Sequence, residues 1–328
     1  MIYRSLGRSG LRVSCLGIGG NIFGRFGGRK EVAGILAAAA ACGINLVDTA
    51  DVYSEGESER LIGEALAGSR DSWIVATKLG LRTGESYRGR ASRKDIMAGV
   101  EASLARLRTD RIDLYQLHHF DSGTPLNETI GALDTLKKQG KIRAVGASNY
   151  TAAQLREALK TADGLALERF CSVQCAYNLM KREIEGEMLP LCGRERVGVL
   201  AYAAMARGVL SGKYSAGSEP PAASRAAVSE SIRGDLTPEV LGAASRLKAV
   251  AGRIGRSTGG LALAWVLRRP EVASVLLGVR DARQLAEDAA DLDRPLTDGE
   301  LREIEEAVGD PRRYESLCLG DTAALNRS

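Results

Sequence analysis

Short apolar runs alternate with longer amphipathic segments along the whole chain. Eight of these runs predict strands, and they occupy residues 13–19, 44–48, 73–78, 112–118, 142–148, 171–177, 197–202 and 272–278. Most are apolar at nearly every position, which is typical of parallel strands that are buried on both faces.

The segments between these runs have the pattern and the boundaries of helices. KEVAGILAAAAACG ends at Gly43, NETIGALDTLKKQGK begins at Asn127 and stops at Gly140, and GGLALAWVLRRP ends at Pro270. Asn at the start and Gly or Pro at the end are common helix boundaries. Strict alternation predicts a parallel α/β fold, and eight repeats in 328 residues favour a (β/α)8 TIM barrel over a doubly wound sheet.

One stretch interrupts the alternation. Residues 217–235 are rich in Ser, Ala and Pro and follow the seventh predicted strand. We interpret them as a long barrel loop and not as a domain boundary. Residues 309–328 are a weakly patterned C-terminal tail, and we expect a single domain across residues 1–328.

Composition and charge favour a globular protein over a nucleic-acid-binding, secreted or membrane protein. Hydrophobic residues make up 45% and charged residues 26%, with a net charge of +4, which is the balance of a globular protein. No basic block carries interleaved aromatic residues, so we expect no nucleic-acid partner. The N-terminus lacks the apolar segment of a signal peptide, and no run approaches the ~20 apolar residues of a membrane span. We therefore expect a cytoplasmic protein without membrane association, and the sequence leaves a homo-oligomer open.

The six cysteines are scattered, and the two histidines are adjacent to each other. Neither arrangement has the spacing of a zinc site, so we expect no metal and reduced thiols.

Polar side chains end three neighbouring predicted strands: Asp48, Lys78 and His118, with Tyr53 just after the first of them. In a barrel these ends face one mouth. A nearby ammonium favours a phenolate, so Lys78 is expected to bring the pKa of Tyr53 toward neutrality, with Asp48 holding Lys78 charged. An imidazole can orient a carbonyl group. Such a set delivers a proton to a carbonyl oxygen.

Several motifs recur in a fixed order: DTADVYSEGESE at 48–59, ATK at 76–78, DLYQLH at 113–118, GASN at 146–149 and QCAYNL at 174–179. With them the chain resembles the aldo-keto reductase superfamily over nearly its whole length. The resemblance implies a barrel that binds NADPH and reduces aldehydes or ketones. It implies a catalytic tetrad of Asp48, Tyr53, Lys78 and His118, with Tyr53 as general acid in reduction and general base in reverse.

The resemblance also implies a set of cofactor contacts, which follow the strand ends around the barrel. They are Gly20, Asn21 and Asp48; Ser148, Asn149 and Gln174 at the nicotinamide carboxamide; Tyr202 stacked on the nicotinamide ring; Ala203, Met205, Ala206, Gly208, Ser211 and Lys213 at the diphosphate; and Gly278, Arg280, Gln284, Glu287 and Asp288 at the adenosine. Because guanidinium binds phosphate bidentately, Arg280 favours NADP over NAD.

The chain departs from the family pattern in two places. Ala203-Ala204-Met205 replaces S-P-L after the stacking tyrosine, which removes a hydroxyl and a rigid proline. Asp288 stands where the family has Asn, and a carboxylate is mildly unfavourable near a phosphate. Both put the cofactor affinity and preference in question.

Two other functions compete with this interpretation. Tyr177 and Lys181 match the Y-x-x-x-K pair of short-chain reductases, but GIGGNIFG does not fit the glycine pattern of a Rossmann fold. An NADPH-binding regulatory or sensor subunit with low turnover stays open, since the family includes channel-associated β subunits. The sequence does not choose among sugar, deoxysugar and secondary-metabolite carbonyls.

Overall fold

The computed structural model describes residues 1–80, 90–222, 224–280, 282–290 and 292–317. Residues 81–89 lie outside the described residues. So do residues 318–328 of the tail predicted over 309–328.

Ten strands form within the described residues. They are β1 (Tyr3–Ser5), β2 (Arg12–Ser14), β3 (Leu16–Gly19), β4 (Leu46–Asp48), β5 (Ile74–Leu79), β6 (Ile112–Leu117), β7 (Ile142–Ser148), β8 (Ser172–Ala176), β9 (Gly198–Tyr202) and β10 (Val272–Leu277). β1 and β2 pair as an antiparallel hairpin, and β3 to β10 close in sequence order into a parallel barrel in which β10 pairs with β3. The predicted (β/α)8 TIM barrel is confirmed. The predicted run 13–19 is divided in the structure between the hairpin and the first barrel strand.

Twelve helices accompany these strands in the part of the chain that the structure describes. They are α1 (Arg29–Ala41), α2 (Glu57–Ala65), α3 (Arg93–Leu107), α4 (Leu126–Lys138), α5 (Ala152–Gly164), α6 (Met188–Glu195), α7 (Arg225–Val228), α8 (Glu230–Asp235), α9 (Pro238–Ile254), α10 (Thr258–Leu267), α11 (Ala282–Ala289) and α12 (Asp298–Val308). Short 3₁₀ helices occupy Gly20–Ile22, Tyr53–Gly56, Arg70–Ser72, Glu183–Glu185, Ala206–Ser211 and Pro311–Tyr314.

Helix boundaries follow the local chemistry. The Ser92 hydroxyl accepts the backbone N–H of Asp95 at the start of α3, and Thr151 and Gln154 form a reciprocal capping box at α5. Gly43 and Gly140, after α1 and α4, adopt the left-handed φ of +76° and +74° that ends a helix.

Residues 217–235, predicted as a long loop, contain the short helices α7 and α8. Ile232 is buried here. Arg207, from the connection after β9, hydrogen-bonds Ser231 at 3.0 Å and lies 3.6 Å from the Asp235 carboxylate. The segment is therefore packed against the barrel by both apolar and charged contacts.

The barrel interior divides into an apolar floor and a polar upper layer. Leu46, Ala76 and Leu114 share the floor with the hairpin residues Leu6 and Val13. Since side chains alternate along a strand, residues two positions further on face the same interior. Those residues form what we call the polar layer: Asp48, Lys78, Gln116 and Gln174, none more than 3% exposed. The hairpin thus closes one end of the barrel, and the polar layer lies toward the C-terminal ends of the strands.

Replacing Gly7 with alanine is expected to destabilise the protein far more than the same change at Gly10. Both glycines have left-handed φ, +54° and +76°, so alanine at either costs about 1–2 kcal/mol of backbone strain. A Cβ on Gly7 would lie 2.1 Å from the carbonyl oxygen of Cys171, whereas no atom of the described residues comes within 4 Å of one on Gly10. Gly7→Ala should therefore cost about a further 1–3 kcal/mol. Urea unfolding of both variants measures the difference, and equal losses would contradict this packing of the hairpin.

Candidate active site

Lys78 is the centre of a hydrogen-bonded cluster in the polar layer. Its Nζ donates to Oδ1 of Asp48 at 2.5 Å, to the carbonyl oxygen of Thr49 at 2.9 Å and to the Tyr53 hydroxyl at 3.2 Å. These contacts use all three donors of the ammonium group. The structure thus brings together Asp48, Tyr53 and Lys78, as the sequence predicted.

The second oxygen of Asp48 is also fully engaged. Its Oδ2 accepts hydrogen bonds from Nε2 of Gln116 at 2.8 Å and from Nε2 of Gln174 at 2.9 Å. A buried carboxylate is tolerable only when it is paired and hydrogen-bonded. Asp48 therefore has one fixed orientation, set by side chains from three other strands, β5, β6 and β8.

The chain makes an unusual turn directly after Tyr53. Ser54, Glu55 and Gly56 have successive left-handed φ values of +49°, +56° and +84°. The first two are strained conformations for residues with a side chain. The Ser54 hydroxyl donates to the carbonyl oxygen of Phe23 at 2.7 Å, which ties this turn to the loop after β3.

The charges in this cluster set its protonation states. Burial disfavours the charged form of Lys78, but Asp48 and Tyr53 outweigh it, and the pKa of Lys78 lies above its ordinary value. Burial is also the largest influence on Tyr53 and raises the pKa of its phenol; Lys78 lowers it, and Asp48 raises it further. The expectation that Lys78 brings the pKa of Tyr53 toward neutrality is therefore wrong, because burial exceeds the effect of the ammonium. Tyr53 is protonated at neutral pH.

His118 lies against the phenol. The rings of Tyr53 and His118 have centroids 5.8 Å apart at an angle of 81°, and the His119 ring stacks on His118 with centroids 5.1 Å apart. Burial, then Lys78 and His119, hold the pKa of His118 well below its usual value. Its imidazole is neutral, and its Nδ1 is enclosed with no hydrogen-bond partner among the described residues.

A second carboxylate lies at the same mouth. Oδ1 of Asp51 accepts the backbone N–H of Gly80 at 2.6 Å, and its Oδ2 lies 3.5 Å from Arg90. Burial is the main cause that raises the pKa of Asp51 to about 6, with Glu59 adding to it. Asp51 thus joins the connection after β4 to the residues on both sides of the segment 81–89.

The candidate nicotinamide residues are connected by hydrogen bonds beside this cluster. Nδ2 of Asn149 donates to the carbonyl oxygen of His118 at 3.1 Å and to the Ser148 hydroxyl at 3.2 Å, while Oδ1 accepts the Tyr202 hydroxyl at 2.7 Å. Both N–H groups of Asn149 are therefore used within the protein. The bond from Tyr202 fixes the direction of its half-buried ring.

The connection after β9 has a strained backbone. Ala203, Ala206, Arg207 and Gly208 have φ values of +54°, +45°, +59° and +103°, of which only the last is relaxed. Nδ2 of Asn178, which is fully buried, donates to the carbonyl oxygen of Ala203 at 3.0 Å. Asn178 and the buried Arg207 therefore hold this connection in place.

The remaining diphosphate candidates lie on the same connection. The Ser211 hydroxyl donates to the carbonyl oxygen of Gly208 at 2.7 Å, and a Cβ on Gly208 would lie 3.0 Å from Nζ of Lys213. Met205 is half-buried against the core. A lysine is thus held beside the one relaxed residue of this backbone.

The first and last barrel strands bring two further groups together. Gly20 and Asn21 follow β3, and Gly278 follows β10, its neighbour in the barrel. The carbonyl oxygen of Gly20 accepts the Ser58 hydroxyl at 2.8 Å. The guanidinium of Arg280 lies 4.0 Å over the ring of Phe26, which spans the two connections.

Asp288, one of the candidate adenosine residues, packs against a neighbouring helix. It is buried, and a Cβ on Gly259 would lie only 2.4 Å from its Oδ1. The carboxylate therefore lies against the first turn of α10, where a helix N-terminus favours negative charge. Glu287 is exposed, and the side chain of Gln284 lies outside the described residues.

Gln116, Asn178 and Asp51 were missed by the sequence analysis. Gln116 had a readable signal: it is a lone amide in an apolar strand, two residues before His118. Asn178 stood inside the quoted QCAYNL motif without a role. No sequence pattern pointed to Asp51, because its raised pKa comes mainly from burial.

No group of three or more His, Cys, Asp or Glu side chains in the described ranges is arranged to hold a metal ion. The five cysteines among those residues are free thiols. No helix there is long and apolar enough to span a membrane.

Residues 15–308 match the aldo/keto reductase family, and the chain belongs to that family. Its members are oxidoreductases that generally use NAD(P)H to act on carbonyl compounds. Two relatives are each named "Probable voltage-gated potassium channel subunit beta". The protein from Oryza sativa subsp. japonica is 36% identical over 329 residues, and that from Arabidopsis thaliana is 35% identical over 329 residues. In both cases the match covers 96% of this chain and 99% of the relative.

Proposed function

We propose that this protein is an NADPH-dependent reductase of aldehydes or ketones, an alcohol:NADP⁺ oxidoreductase in which Tyr53 is the general acid. The observation that carries the proposal is the buried Lys78 ammonium, which contacts both the Asp48 carboxylate and the Tyr53 hydroxyl. A phenol beside a fixed cation can release a proton and be stabilised afterwards as a phenolate.

Proton delivery follows from the protonation states of the cluster. Because burial raises the pKa of Tyr53, its hydroxyl carries the proton that a carbonyl oxygen needs. When bound, NADPH supplies the hydride to the carbonyl carbon. The Tyr53 proton goes to the oxygen, the phenolate remains beside Lys78, and solvent restores the proton. In the reverse direction the phenolate takes the alcohol proton.

His118 orients the carbonyl in this proposal. A proton on its enclosed Nδ1 would be a buried N–H without an acceptor, which proteins avoid more strictly than an unpaired acceptor. We therefore assign the proton to Nε2, which can donate to the substrate oxygen. A neutral imidazole does this without adding a second positive charge beside Lys78.

The residues at the mouth suit the chemistry of the cofactor. A carboxamide needs an acceptor and a donor, which Gln174 and the Ser148 hydroxyl can offer. The fixed ring of Tyr202 offers a flat apolar face. Lys213 and Arg280 supply positive charge for phosphates, and Arg280 favours the 2′-phosphate of NADP over NAD. Because Asp288 lies against α10, it need not oppose that phosphate.

We further infer that residues 1–328 work as one domain in the cytoplasm on a small-molecule carbonyl. Sugars, deoxysugars and secondary metabolites all stay open as substrates. The mouth near Asp51 and Arg90 is the place where they would be distinguished.

Tyr53→Phe should lower kcat for carbonyl reduction by roughly 10²–10⁴-fold, since it removes only the acidic hydroxyl. The dissociation constant for NADPH should change by less than about threefold. The measurements are NADPH oxidation with a panel of aldehydes and NADPH titration by fluorescence. Tyr3→Phe is the matched control, because its hydroxyl bonds the Gly43 carbonyl oxygen on the surface. Turnover of Tyr53→Phe at the wild-type rate would show that the proton comes from elsewhere.

Arg280→Ala should weaken NADPH binding by about 10–100-fold through the loss of charge-assisted hydrogen bonds, and should leave NADH binding nearly unchanged. Arg25→Ala is the control, since Arg25 lies 5.3 Å over the same Phe26 ring and carries the same charge nearby. Equal losses for both cofactors, or an equal effect of Arg25→Ala, would rule out a specific 2′-phosphate contact.

The names of the two relatives favour a second candidate function, an NADPH-binding regulatory subunit with low turnover. Both functions require the same cofactor site. Tight NADPH binding with no oxidation by any carbonyl in the panel would favour the regulatory subunit, whereas turnover that depends on Tyr53 favours the reductase.

A further inference from the structure

Gln116 lies in the polar layer, yet the proposed proton transfer does not use it. It belongs to β6 and is completely buried. A buried amide is costly unless its polar atoms are hydrogen-bonded. Space for it comes from Gly146 on β7, where a Cβ would lie 3.1 Å from Cγ of Gln116. The barrel therefore has room for an amide side chain at a buried strand position, where an apolar side chain would be expected.

The orientation of the Gln116 amide follows from its partners. Its Nε2 donates to Oδ2 of Asp48 at 2.8 Å, and its Oε1 accepts from Nε2 of Gln174 at 3.3 Å. An ionised carboxylate only accepts hydrogen bonds, so the nitrogen must face Asp48 and the oxygen must face away. Gln116 consequently links the Lys78 cluster to Gln174.

The same reasoning fixes Gln174. Its Nε2 lies between two acceptors, Oδ2 of Asp48 at 2.9 Å and Oε1 of Gln116 at 3.3 Å. Each of its two N–H groups therefore has one partner. Among the described residues its Oε1 accepts no hydrogen bond and is not fully enclosed. Gln174 thus presents only an acceptor to a ligand.

We propose that Gln116 is a positioning residue: together with Asp48 it holds Gln174 by both N–H groups, so that Gln174 offers its Oε1 to the N–H₂ of the cofactor carboxamide. This inference rests on the proposed function, since it needs a nicotinamide cofactor at this mouth. One contact alone would let the amide of Gln174 pivot about Asp48, whereas two contacts fix its plane.

The test uses the selectivity of the protein for a carboxamide. In the 3-acetylpyridine analogue of NADP⁺ an acetyl group replaces the carboxamide, which keeps the carbonyl oxygen but removes the N–H₂ donor. Loss of one hydrogen bond to a fixed acceptor should weaken binding of the analogue to the wild-type protein by about tenfold. Calorimetric titration with each cofactor gives this selectivity ratio.

Gln116→Met keeps the length of the side chain and removes both polar atoms. The selectivity ratio should fall from about tenfold to less than about threefold, because Gln174 is no longer held at two points. Adenosine 2′,5′-bisphosphate, which lacks the nicotinamide, should bind this variant as it binds the wild-type protein. An unchanged ratio, or equal weakening of all three ligands, would show that Gln116 only supports the fold and would overturn the inference.

Two further variants test the inference if the Gln116→Met protein does not fold. Gln116→Glu keeps an acceptor for Gln174, and beside Asp48 its carboxyl should stay protonated and donate, so the wild-type ratio should be retained. Gln174→Met should abolish the selectivity. The opposite result for either variant overturns the inference, and Gln139→Met, an exposed glutamine, should change nothing.

The same measurements distinguish failure of the proposed function from failure of this inference about Gln116. If the wild-type protein binds no NADP⁺, both the proposed function and this inference fail. If it binds NADP⁺ and Gln116→Met retains the wild-type ratio, only this inference fails.

Discussion

The buried contact between the Lys78 ammonium and the Asp48 carboxylate is the interaction on which the rest of the site depends. Both side chains are almost inaccessible to water, and either charge alone would be strongly destabilising there. The pair is tolerated because every donor of Lys78 and both oxygens of Asp48 have partners. Those partners come from several strand ends, so the cation that would stabilise a Tyr53 phenolate is present only when the barrel is closed.

The two ends of the barrel differ in the side chains that fill them and in the backbone of their connections. At the hairpin end, apolar side chains and close backbone contacts fill the interior. At the other end, buried amides and charges replace them, and the backbone takes strained conformations in the connections after β4 and β9. Strained backbone conformations of this kind persist only where contacts with the surrounding structure hold them. Here it is set by Ser54 bonding to Phe23 and by Asn178 bonding to Ala203.

Much of this arrangement could be predicted from the sequence, and the exceptions have physical causes. The alternation of apolar runs predicted a parallel α/β fold, and the number of repeats favoured the barrel. The polar residues at the strand ends predicted that Asp48, Tyr53 and Lys78 lie together. The pKa of Tyr53 could not be predicted, because the balance between burial and a nearby cation depends on three-dimensional packing. Gln116 and Gln174 are 58 positions apart, so their contact follows from strand order in the closed barrel and not from local pattern. The contact of Asp288 with Gly259 could not be predicted either, because the two residues lie on different helices.

Burial keeps Tyr53 protonated beside a charged Lys78, so its phenol can act as an acid. Titration of the Tyr53 ring Cζ by carbon-13 NMR, assigned with the Tyr53→Phe protein, measures this directly in the absence of cofactor. Because burial raises the pKa of this phenol above its ordinary value, we predict that Tyr53 is still mostly protonated at about pH 10. A midpoint at or below about pH 10 would contradict this protonation state, since the effect of the ammonium on the pKa of the phenol would then be at least as large as that of burial.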